Sequence, residues 1–238
     1  MSAELVITDF GGIHNKNGDV TKSRLIKGGS WKRQRIIVII PADSLIPAKC
    51  ALAIWGLVFP PNNGVVRILC QGTEVGAGYS AAIEGVLAHP ELSTWEYILT
   101  IEQDCGCPQD GVLKLCEEME AHPEFAAISG SYFTKGINGV WQCWGDPNDP
   151  ITNFRPRVPQ ASGLVEACGL GMGFCLFRLK MFKDPALRRP WFVTQKDKNG
   201  VSTQDLYAWS DFRKCGYRCA VSADVKCGHY ELATDTMW

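Results

Sequence analysis

The amino-acid sequence predicts an α/β protein in which a mostly parallel central sheet is flanked by helices. Short apolar runs rich in β-branched residues alternate with stretches of helical period, and Ile36–Ile40 is the clearest such run. Hydrophobic residues make up 46% of the 238 positions, which is enough for a large core in one domain. No internal repeat or low-complexity segment interrupts this alternation. Together these observations favour a sheet with helices on both of its faces.

The first half of the chain contains four predicted strands separated by helices and turns. A polar lead-in, residues 1–34, precedes them and carries a turn signal at Asn17-Gly18. Pro41 ends the first strand, and Asp110 is the expected N-cap of the third helix. The predicted strands cover residues 36–40, 65–70, 97–101 and 125–129, and the predicted helices cover 48–58, 79–88 and a segment that begins near residue 110.

The second half begins with an irregular excursion over residues 131–163. It contains Trp141, Trp144 and several prolines, and a long segment of this kind in a compact domain is usually functional. A glycine-bearing segment, Val165–Arg178, then leads into an apolar strand. A helix capped by Ser202 or Thr203 follows, and a last strand covers residues 217–225. We therefore expect one domain at 35–238, with halves at 35–130 and 131–238.

Composition and charge exclude several classes of protein. The formal net charge is -1, so no overall basic field indicates nucleic acid. A local basic cluster is interpreted as a solvated face. No apolar stretch approaches the roughly 18 residues that span a bilayer, and no secretory signal opens the sequence. We expect a cytoplasmic protein without integral membrane association. The basic cluster consists of Lys27, Lys32, Arg33 and Arg35.

The eleven cysteines are expected to be reduced thiols of the core. Their number is odd, and most of them occur inside apolar patterns, which fits a reducing compartment better than a disulfide framework. The pairs Cys105-x-Cys107 and Cys227-x-His229 lack the spacing of a usual zinc knuckle, which disfavours structural zinc.

Two carboxylates, Glu102 and Asp104, directly follow the third predicted strand. Ligands bind at the carboxyl ends of the strands of open parallel sheets, and carboxylate oxygens suit Mg²⁺ and Mn²⁺. A metal held there could bridge the phosphates of a nucleotide diphosphate. The alternative is a pair of solvated acids at a strand end. His229, after the last strand, is either structural or a partner for Mn²⁺ beside a carboxylate.

Asp205 lies in the first turn of the last predicted helix. The positive end of the helix dipole favours its ionised form, which is able to accept a proton. The alternative is an acid that only stabilises the helix.

The order of these motifs resembles family-2-like glycosyltransferases of the GT-A fold. A strand ends in acid-x-Asp at residues 102–104, and Gly-x-Gly-Phe-x-Leu-x-Arg follows at 171–178. Asp-Leu then stands at a helix start at 205–206, and Gly-Tyr precedes a strand that ends in Gly-His at 228–229. The resemblance implies a Rossmann-like GT-A domain that moves a sugar from a nucleotide-diphosphate-sugar donor, most simply a UDP-sugar, to an acceptor hydroxyl.

The resemblance also implies a role for individual residues. Asp205 would be the general base of an inverting displacement. Asp104 would be the principal ligand of Mn²⁺ or Mg²⁺, assisted by Glu102 and His229. The nucleotide side of the donor site would be formed by Pro41, Ala42, Asp43, Glu74, Tyr79, Glu102 and Gln103. The acceptor and sugar side would be formed by Gly171, Met172, Gly173, Gln204 and Trp141.

Two other functions remain open at the level of sequence. A nucleotidyltransferase would need a basic, glycine-rich loop after the first strand, and Pro41–Pro47 contains no glycine. A non-catalytic sugar- or nucleotide-binding module would keep the fold without turnover.

The exposed-aromatic candidates for sugar stacking are Trp141, Trp144, Trp191 and Trp209, of which we expect Trp209 to belong to the core. The acceptor could be a glycan, a lipid-linked sugar, a protein or a modified nucleic acid.

Overall fold

The computed structural model describes residues 5–9, 34–43, 45–61, 64–134, 136, 138–197 and 200–238. Its main feature is a sheet of eight strands in the order β1-β3-β2-β4-β10-β6-β13-β8. In chain order the strands of the protein are β1 (Leu5–Asp9), β2 (Ile36–Ala42), β3 (Val65–Gln71), β4 (Tyr97–Ile101), β5 (Cys105–Gly106), β6 (Phe125–Ser131), β7 (Cys143–Trp144), β8 (Leu164–Ala167), β9 (Gly169–Leu170), β10 (Phe174–Arg178), β11 (Gln195–Asp197), β12 (Gly200–Ser202), β13 (Arg218–Lys226), β14 (Gly228–Glu231) and β15 (Thr236–Met237).

The eight-stranded sheet is mixed but mostly parallel. Strands β3, β2, β4, β6 and β13 run in one direction, and β1, β10 and β8 run against them. The prediction of a large, mostly parallel central sheet is therefore confirmed.

Helices cover both faces of this sheet. They are α1 (Ala48–Trp55), α2 (Val75–Ala88), α3 (Gly111–Ala121) and α4 (Gln204–Lys214), with shorter 3₁₀ turns at Leu92–Thr94 and Leu179–Lys183. Ile37 and Ile39 pack with the apolar side chains of α2 and α4, whereas Ile36 and Val38 pack with those of α1 and α3. Because both faces are covered, the whole of β2 is buried, which explains its continuous apolar run.

One edge of the sheet collects the carboxyl ends of the five parallel strands. These ends are Ala42, Gln71, Ile101, Ser131 and Lys226. Strand β10 begins at the same edge, because it runs antiparallel to β4 and pairs Phe174 with Ile101. The glycine-bearing segment 171–173 therefore meets the segment 102–104 at this edge.

Helix α2 begins earlier than the sequence pattern predicted. The predicted start was Tyr79, with residues 72–78 as a glycine-bearing loop, but Gly76 and Gly78 lie inside the helix. Glu74 caps its first turn by accepting a hydrogen bond from the N–H of Ala77 at 2.8 Å. A Cβ on Gly76 would lie 3.0 Å from the carbonyl oxygen of Phe192. The glycine therefore permits close packing inside a helix, and it was wrongly interpreted as a sign of a loop.

Part of the predicted polar lead-in forms an edge strand. Strand β1 pairs antiparallel with β3, with Leu5 opposite Cys70 and Asp9 opposite Val66. Of the predicted basic cluster, only Arg35 is described, and its guanidinium pairs with Glu96 at 2.8 Å. The remaining members of that cluster and the turn at Asn17-Gly18 lie outside the described residues.

The caps and the cysteines follow the sequence in most respects. Asp110 stands at the N-cap of α3 as expected, but its carboxylate pairs with Lys114 at 3.0 Å and does not cap the backbone. Nine of the eleven cysteines are buried, and all eleven are free thiols, so the predicted core position is confirmed.

Within the described residues, no helix has both the length and the apolar character needed to cross a membrane.

Candidate active site

A cavity of about 290 Å³ opens at the carboxyl edge, between the ends of β2 and β4. The side-chain amide of Gln103 accepts a hydrogen bond from the N–H of Asp43 at 2.7 Å and so ties the two strand ends together. The sequence did not indicate Val75, which begins α2, or Thr73, which lies two positions before it. The lining residues are Pro41, Ala42, Asp43, Thr73, Val75, Glu102, Gln103 and Asp104.

Asp104 contacts His229 at the rim of this cavity. The carboxylate oxygen Oδ2 of Asp104 lies 3.1 Å from the ring nitrogen Nε2 of His229, and both side chains are largely buried. Backbone pairing fixes this contact, because His229 stands opposite Cys105 in the β5–β14 ladder. The N–H of Tyr230 also donates to the carbonyl oxygen of Asp104 at 2.8 Å. Two of the three predicted metal ligands are thus brought together.

The third predicted metal ligand, Glu102, lines the cavity but does not complete a cluster. Among the residues that the structure describes, no group of three or more His, Cys, Asp or Glu is arranged to hold a metal ion. The backbone of Glu102 is fixed by its N–H, which donates to the carbonyl oxygen of Gly173 at 3.1 Å. A carboxylate oxygen and an imidazole nitrogen form a donor set that suits Mn²⁺.

Tyr132 links the Asp104–His229 pair to the glycine segment. Its ring meets the His229 ring edge-on, with centroids 5.9 Å apart, and its hydroxyl oxygen accepts the N–H of Gly173 at 2.9 Å. A Cβ on Gly171 would lie 2.2 Å from that hydroxyl oxygen, so only glycine fits there. Gly171, Met172 and Gly173 are all buried. All three were predicted to line a sugar pocket. In the structure, the lack of a Cβ on Gly171 and Gly173 leaves the space that Tyr132 occupies.

Asp205 lies at the start of α4, as predicted, and only 6% of it is exposed. Burial raises the pKa of Asp205, and hydrogen bonds from the Thr203 hydroxyl and the Leu206 N–H oppose that rise. The Leu206 bond is 2.8 Å long. Thr203 occupies the predicted N-cap position, but its hydroxyl donates to the Asp205 carboxylate and does not cap the backbone. The result is an oriented carboxylate that takes up a proton more readily than an ordinary aspartate.

The charges of Glu102 and Asp205 act on the same two buried tyrosines. Burial raises the pKa of Tyr79 and of Tyr132, and the negative charges of Glu102 and Asp205 raise both further. Tyr79 itself is completely buried, with its ring 5.6 Å from that of Phe192. Its predicted place in the nucleotide pocket is wrong, because the earlier start of α2 turns it into the core.

Glu74 and Gln204 join the starts of α2 and α4. The hydroxyl of Thr194 donates to the Glu74 carboxylate at 2.8 Å and lies 3.5 Å from the amide oxygen of Gln204. Glu74 also caps α2, so its carboxylate is engaged by the protein on both oxygens. These two predicted binding residues hold the helix that carries Asp205 in place.

A second cavity, of about 380 Å³, lies at the same edge near the ends of β6 and β13. Trp141, predicted on the acceptor side, is part of its wall. The backbone of Trp238 exchanges two hydrogen bonds with that of His229, at 3.0 and 3.1 Å, so this cavity adjoins the Asp104–His229 pair. We call it the aromatic cavity; it is lined by Ser131, Phe133, Trp141, Pro159, Gln160, Ala161, Ala223, Lys226, Cys227 and Trp238.

The tryptophans divide between core and surface. Trp209 is completely buried, as expected, but so is Trp191, which was a candidate for sugar stacking. Trp191 packs edge-on against Phe182 with ring centroids 5.6 Å apart, so that candidacy is wrong. Trp141 and Trp144 remain partly exposed.

Comparisons with known proteins support the fold. No protein-family model matches this chain, and no curated protein matches it. Among solved structures, the chain is similar to the crystal structure of A197 from STIV, with a TM-score of 0.56 and 15% sequence identity. The match covers 83% of this chain and 86% of that chain. At this identity the likeness shows a shared α/β architecture over most of both chains.

Proposed function

We propose that the protein is a metal-dependent glycosyltransferase of the GT-A fold, similar to family 2, that uses a nucleotide-diphosphate-sugar donor. The observation that carries the proposal is the contact between Asp104 and His229 at the rim of the cavity between β2 and β4. A carboxylate and an imidazole at the carboxyl edge of a mostly parallel sheet stand where ligands of such sheets bind. The motif order along the sequence supports the same assignment.

Asp104 and His229 are the residues that would hold Mn²⁺ or Mg²⁺. Two protein ligands would leave room on such an ion for phosphate oxygens and water, which is typical of ions that bind together with a nucleotide. The chemistry that such an ion supplies is neutralisation of the negative charge on the departing diphosphate. Glu102, which lines the same cavity as Asp104, would then be the candidate partner for the ribose or for a bound water.

The donor nucleotide would occupy the cavity between the ends of β2 and β4. Pro41 and Ala42 offer apolar surface to a base, and Gln103 and Asp43 offer polar groups beside it. The hydrogen bond between Asp43 and Gln103 keeps the two strand ends at a fixed spacing. A UDP-sugar is the donor that we propose.

Asp205 is the proposed base. Burial raises its pKa, so its affinity for the proton of an acceptor hydroxyl exceeds that of a solvated aspartate. Thr203 and the N–H of Leu206 orient the carboxylate. The acceptor oxygen then attacks the anomeric carbon while its proton passes to Asp205, and the bond to the diphosphate breaks. A single base on the side opposite the leaving group gives inversion.

The aromatic cavity is the proposed entrance for the acceptor. Trp141 and Trp238 provide aromatic surface for the C–H face of a sugar ring, and Gln160 provides an amide for its hydroxyls. Among the described residues that line it, only Lys226 has a charged side chain. Binding of a polyanionic nucleic acid would require several cationic side chains, because phosphate contacts dominate its affinity. A glycan acceptor is therefore favoured.

Donor binding with and without metal tests the proposal directly. We expect UDP and UDP-sugars to raise the Tm of the protein with Mn²⁺ present and to have little effect in its absence. A ligand at 100 times its Kd stabilises the native state by about 2.7 kcal/mol, which a thermal shift resolves easily. Asp104→Asn is expected to remove the shift, and Asp149→Asn, an exposed carboxylate of the excursion, is the matched control. Equal shifts with and without Mn²⁺ would contradict the metal-dependent donor site.

A further inference from the structure

Residues 236–238, which we call the C-terminal clip, lie against the strand that carries His229. Strand β15 pairs antiparallel with β14, and Met237 stands opposite Tyr230. The N–H of His229 donates to the carbonyl oxygen of Trp238 at 3.1 Å, and the N–H of Trp238 donates to the carbonyl oxygen of His229 at 3.0 Å. The backbone of the imidazole residue is therefore held between β5 on one side and the C-terminal clip on the other.

The side chain of Met237 fills a space that two facing glycines leave open. Gly106 of β5 stands directly opposite Gly228 of β14. A Cβ on Gly228 would lie 2.4 Å from the Met237 sulfur, and a Cβ on Gly106 would lie 2.9 Å from the same sulfur. A thioether is flexible and fills irregular gaps of this kind well. Met237 thus contacts both strands of the ladder at once.

The ladder that Met237 spans is short. It consists of two residue pairs, Gly228 with Gly106 and His229 with Cys105. Two strands that pair alone are marginally stable in water and need packing from other parts of the chain. The contact of Met237 with both glycines supplies such packing one position away from His229.

The turn between β14 and β15 is anchored to helix α1. The carboxylate of Asp235 accepts hydrogen bonds from the ammonium of Lys49 and from the hydroxyl of Tyr230. The Lys49 nitrogen also lies 5.4 Å from the centre of the Tyr230 ring. Exposed ion pairs contribute little stability, but this one fixes where the turn lies. The C-terminal segment is therefore held both at its turn and at its last residue.

We propose that Met237 is a positioning residue that keeps the His229 imidazole on the Asp104 carboxylate. The 3.1 Å contact between these two side chains joins β14 to the residue that precedes β5, so it depends on the spacing of the two strands. Met237 sets that spacing through the glycine of each strand. The consequence for metal binding rests on the proposed function, whereas the positioning of the pair does not.

Met237 separates positioning from ligand contact better than Trp238 does. The Trp238 side chain lines the aromatic cavity, and its indole N–H donates to Glu231 at 3.2 Å. A change at Trp238 would therefore alter the acceptor side as well. Neither set of cavity-lining residues described above includes Met237.

Mn²⁺ affinity, measured by electron paramagnetic resonance of free Mn²⁺, tests the role of Met237. We expect Met237→Ala to bind Mn²⁺ at least about 10-fold more weakly, the loss typical of a supporting residue of a metal site. Met237→Leu refills the space and is expected to restore binding. Leu232→Ala removes an exposed apolar side chain of the same hairpin and is the matched control. A folded Met237→Ala protein with the Mn²⁺ affinity of the wild type would overturn the proposal.

A double-mutant cycle tests whether Met237 acts through the glycines. Gly228→Ala places a methyl group where the sulfur lies, so this change alone is expected to weaken Mn²⁺ binding. In a Met237→Ala background the space is free, and the same change is expected to cost much less. Purely additive losses would show that the two positions do not share this space, and the proposal would fail.

Hydrogen exchange followed by NMR tests the positioning without any metal. The N–H of Tyr230 donates to the carbonyl oxygen of Asp104, so its exchange reports how firmly the two segments are held together. We expect this amide to exchange at least about 10-fold faster in Met237→Ala and at the normal rate in Leu232→Ala. Equal rates in wild type and Met237→Ala would contradict the positioning role.

The wild-type chain alone supplies two further outcomes. The Trp238 amide, which donates to His229, is expected to be protected from exchange; exchange at the rate of a free peptide would overturn the proposal without any variant. If the wild type binds no Mn²⁺, the proposed metal site fails, while the exchange of the Tyr230 amide still decides whether Met237 positions the pair.

Discussion

The Oδ2 atom of Asp104 lies 3.1 Å from the Nε2 atom of His229, although 125 positions separate the two residues in the chain. Pairing of β5 with β14 brings them together, so the contact is a product of topology. Its position at the rim of the cavity between β2 and β4 makes it the centre of the proposed donor site.

Replacing the imidazole tests this centre. We expect His229→Ala to weaken Mn²⁺-dependent binding of UDP by at least about 100-fold, since loss of even an outer partner of a metal site costs roughly 10- to 100-fold. Calorimetric titration of UDP in the presence of Mn²⁺ measures the effect. His122→Ala removes an exposed imidazole that pairs with Glu124, and it is expected to bind like the wild type. A variant at position 229 that bound UDP normally would remove His229 from the metal site.

Asp205→Asn separates chemistry from binding. The amide cannot accept the acceptor proton, so we expect kcat to fall by about 10²- to 10⁴-fold while donor affinity stays unchanged. Initial rates and UDP titration together measure this difference. Asp211→Asn alters another acid of α4 and is expected to retain activity. Transfer at the normal rate by the position 205 variant would show that the base lies elsewhere.

The pH dependence of transfer reports the environment of Asp205. Burial raises the pKa of this carboxyl, so the acidic limb of the kcat/KM profile is expected above the ordinary aspartate value of about 3.9. Thr203→Val removes a hydrogen bond that lowers this pKa and is expected to move the limb to higher pH. Thr203→Ser keeps a hydroxyl and is expected to preserve the profile. An unchanged limb in the valine variant would contradict the coupling.

The same raised pKa affects stability with a definite sign. A carboxyl whose folded pKa exceeds its unfolded pKa favours the folded state below the unfolded pKa, and this contribution is lost as pH rises through the folded pKa. Asp205→Asn has no carboxyl at this position, so its free energy of unfolding does not lose this contribution as pH rises. We therefore expect the free energy of unfolding of the variant, relative to the wild type, to improve as pH rises through that window. Urea titrations at several pH values measure it, and the opposite trend would contradict a raised pKa.

Gly171 is expected to tolerate no side chain. The Cβ of Gly171→Ala would overlap the Tyr132 hydroxyl and lie 2.8 Å from the Gln142 amide oxygen. We expect a loss of about 1–3 kcal/mol in the free energy of unfolding. Gly85→Ala is the matched control, because nothing lies within 4 Å of its added Cβ inside α2, and about 0.5–1 kcal/mol of stabilisation is expected. Urea denaturation distinguishes the two, and equal stabilities would show that Tyr132 moves aside at little cost.

Trp141→Ala tests the acceptor side. Loss of an aromatic contact worth about 0.5–1.5 kcal/mol is expected to raise the KM for a glycan acceptor roughly 3- to 10-fold, without a change in donor affinity. Trp144→Ala removes another partly exposed tryptophan of the excursion that does not line the aromatic cavity. It is expected to leave the acceptor KM unchanged. A normal acceptor KM for Trp141→Ala, together with a raised acceptor KM for Trp144→Ala, would place the acceptor away from the aromatic cavity.

The local sequence pattern predicted the positions of the strands well, but it predicted only part of the candidate site. The β-branched run beginning at Ile36 identified β2, because burial on both faces leaves an unbroken apolar sequence. The start of α2 was misplaced because a glycine in the sequence was interpreted as the sign of a loop. Position 76 is a glycine for another reason, which is its close contact with Phe192, a residue distant in the chain. Tyr79 and Trp191 were wrongly placed for a related reason, since an aromatic residue in the sequence carries no sign of whether its face is covered.

Long-range relationships had no local signal of their own. The meeting of Asp104 with His229 followed only from the order of motifs along the chain, and nothing in that order indicated the sulfur contact between Cys105 and Cys107. Tyr132 was missed entirely, although the Gly171-x-Gly173 spacing marks a place where a bulky neighbour approaches the backbone. A search for the residue that fills such a gap would have found it only in three dimensions.

Strand β1 has a consequence for the solubility of fragments. It pairs with β3 along Leu5–Asp9 and so occupies hydrogen-bonding groups of a strand that would otherwise form the border of the sheet. A shortened chain that began at residue 34 would expose those groups over Val66–Cys70, a run with high β-propensity. Exposed edge strands pair readily with one another, and the shortened protein is therefore expected to self-associate more readily than the longer one.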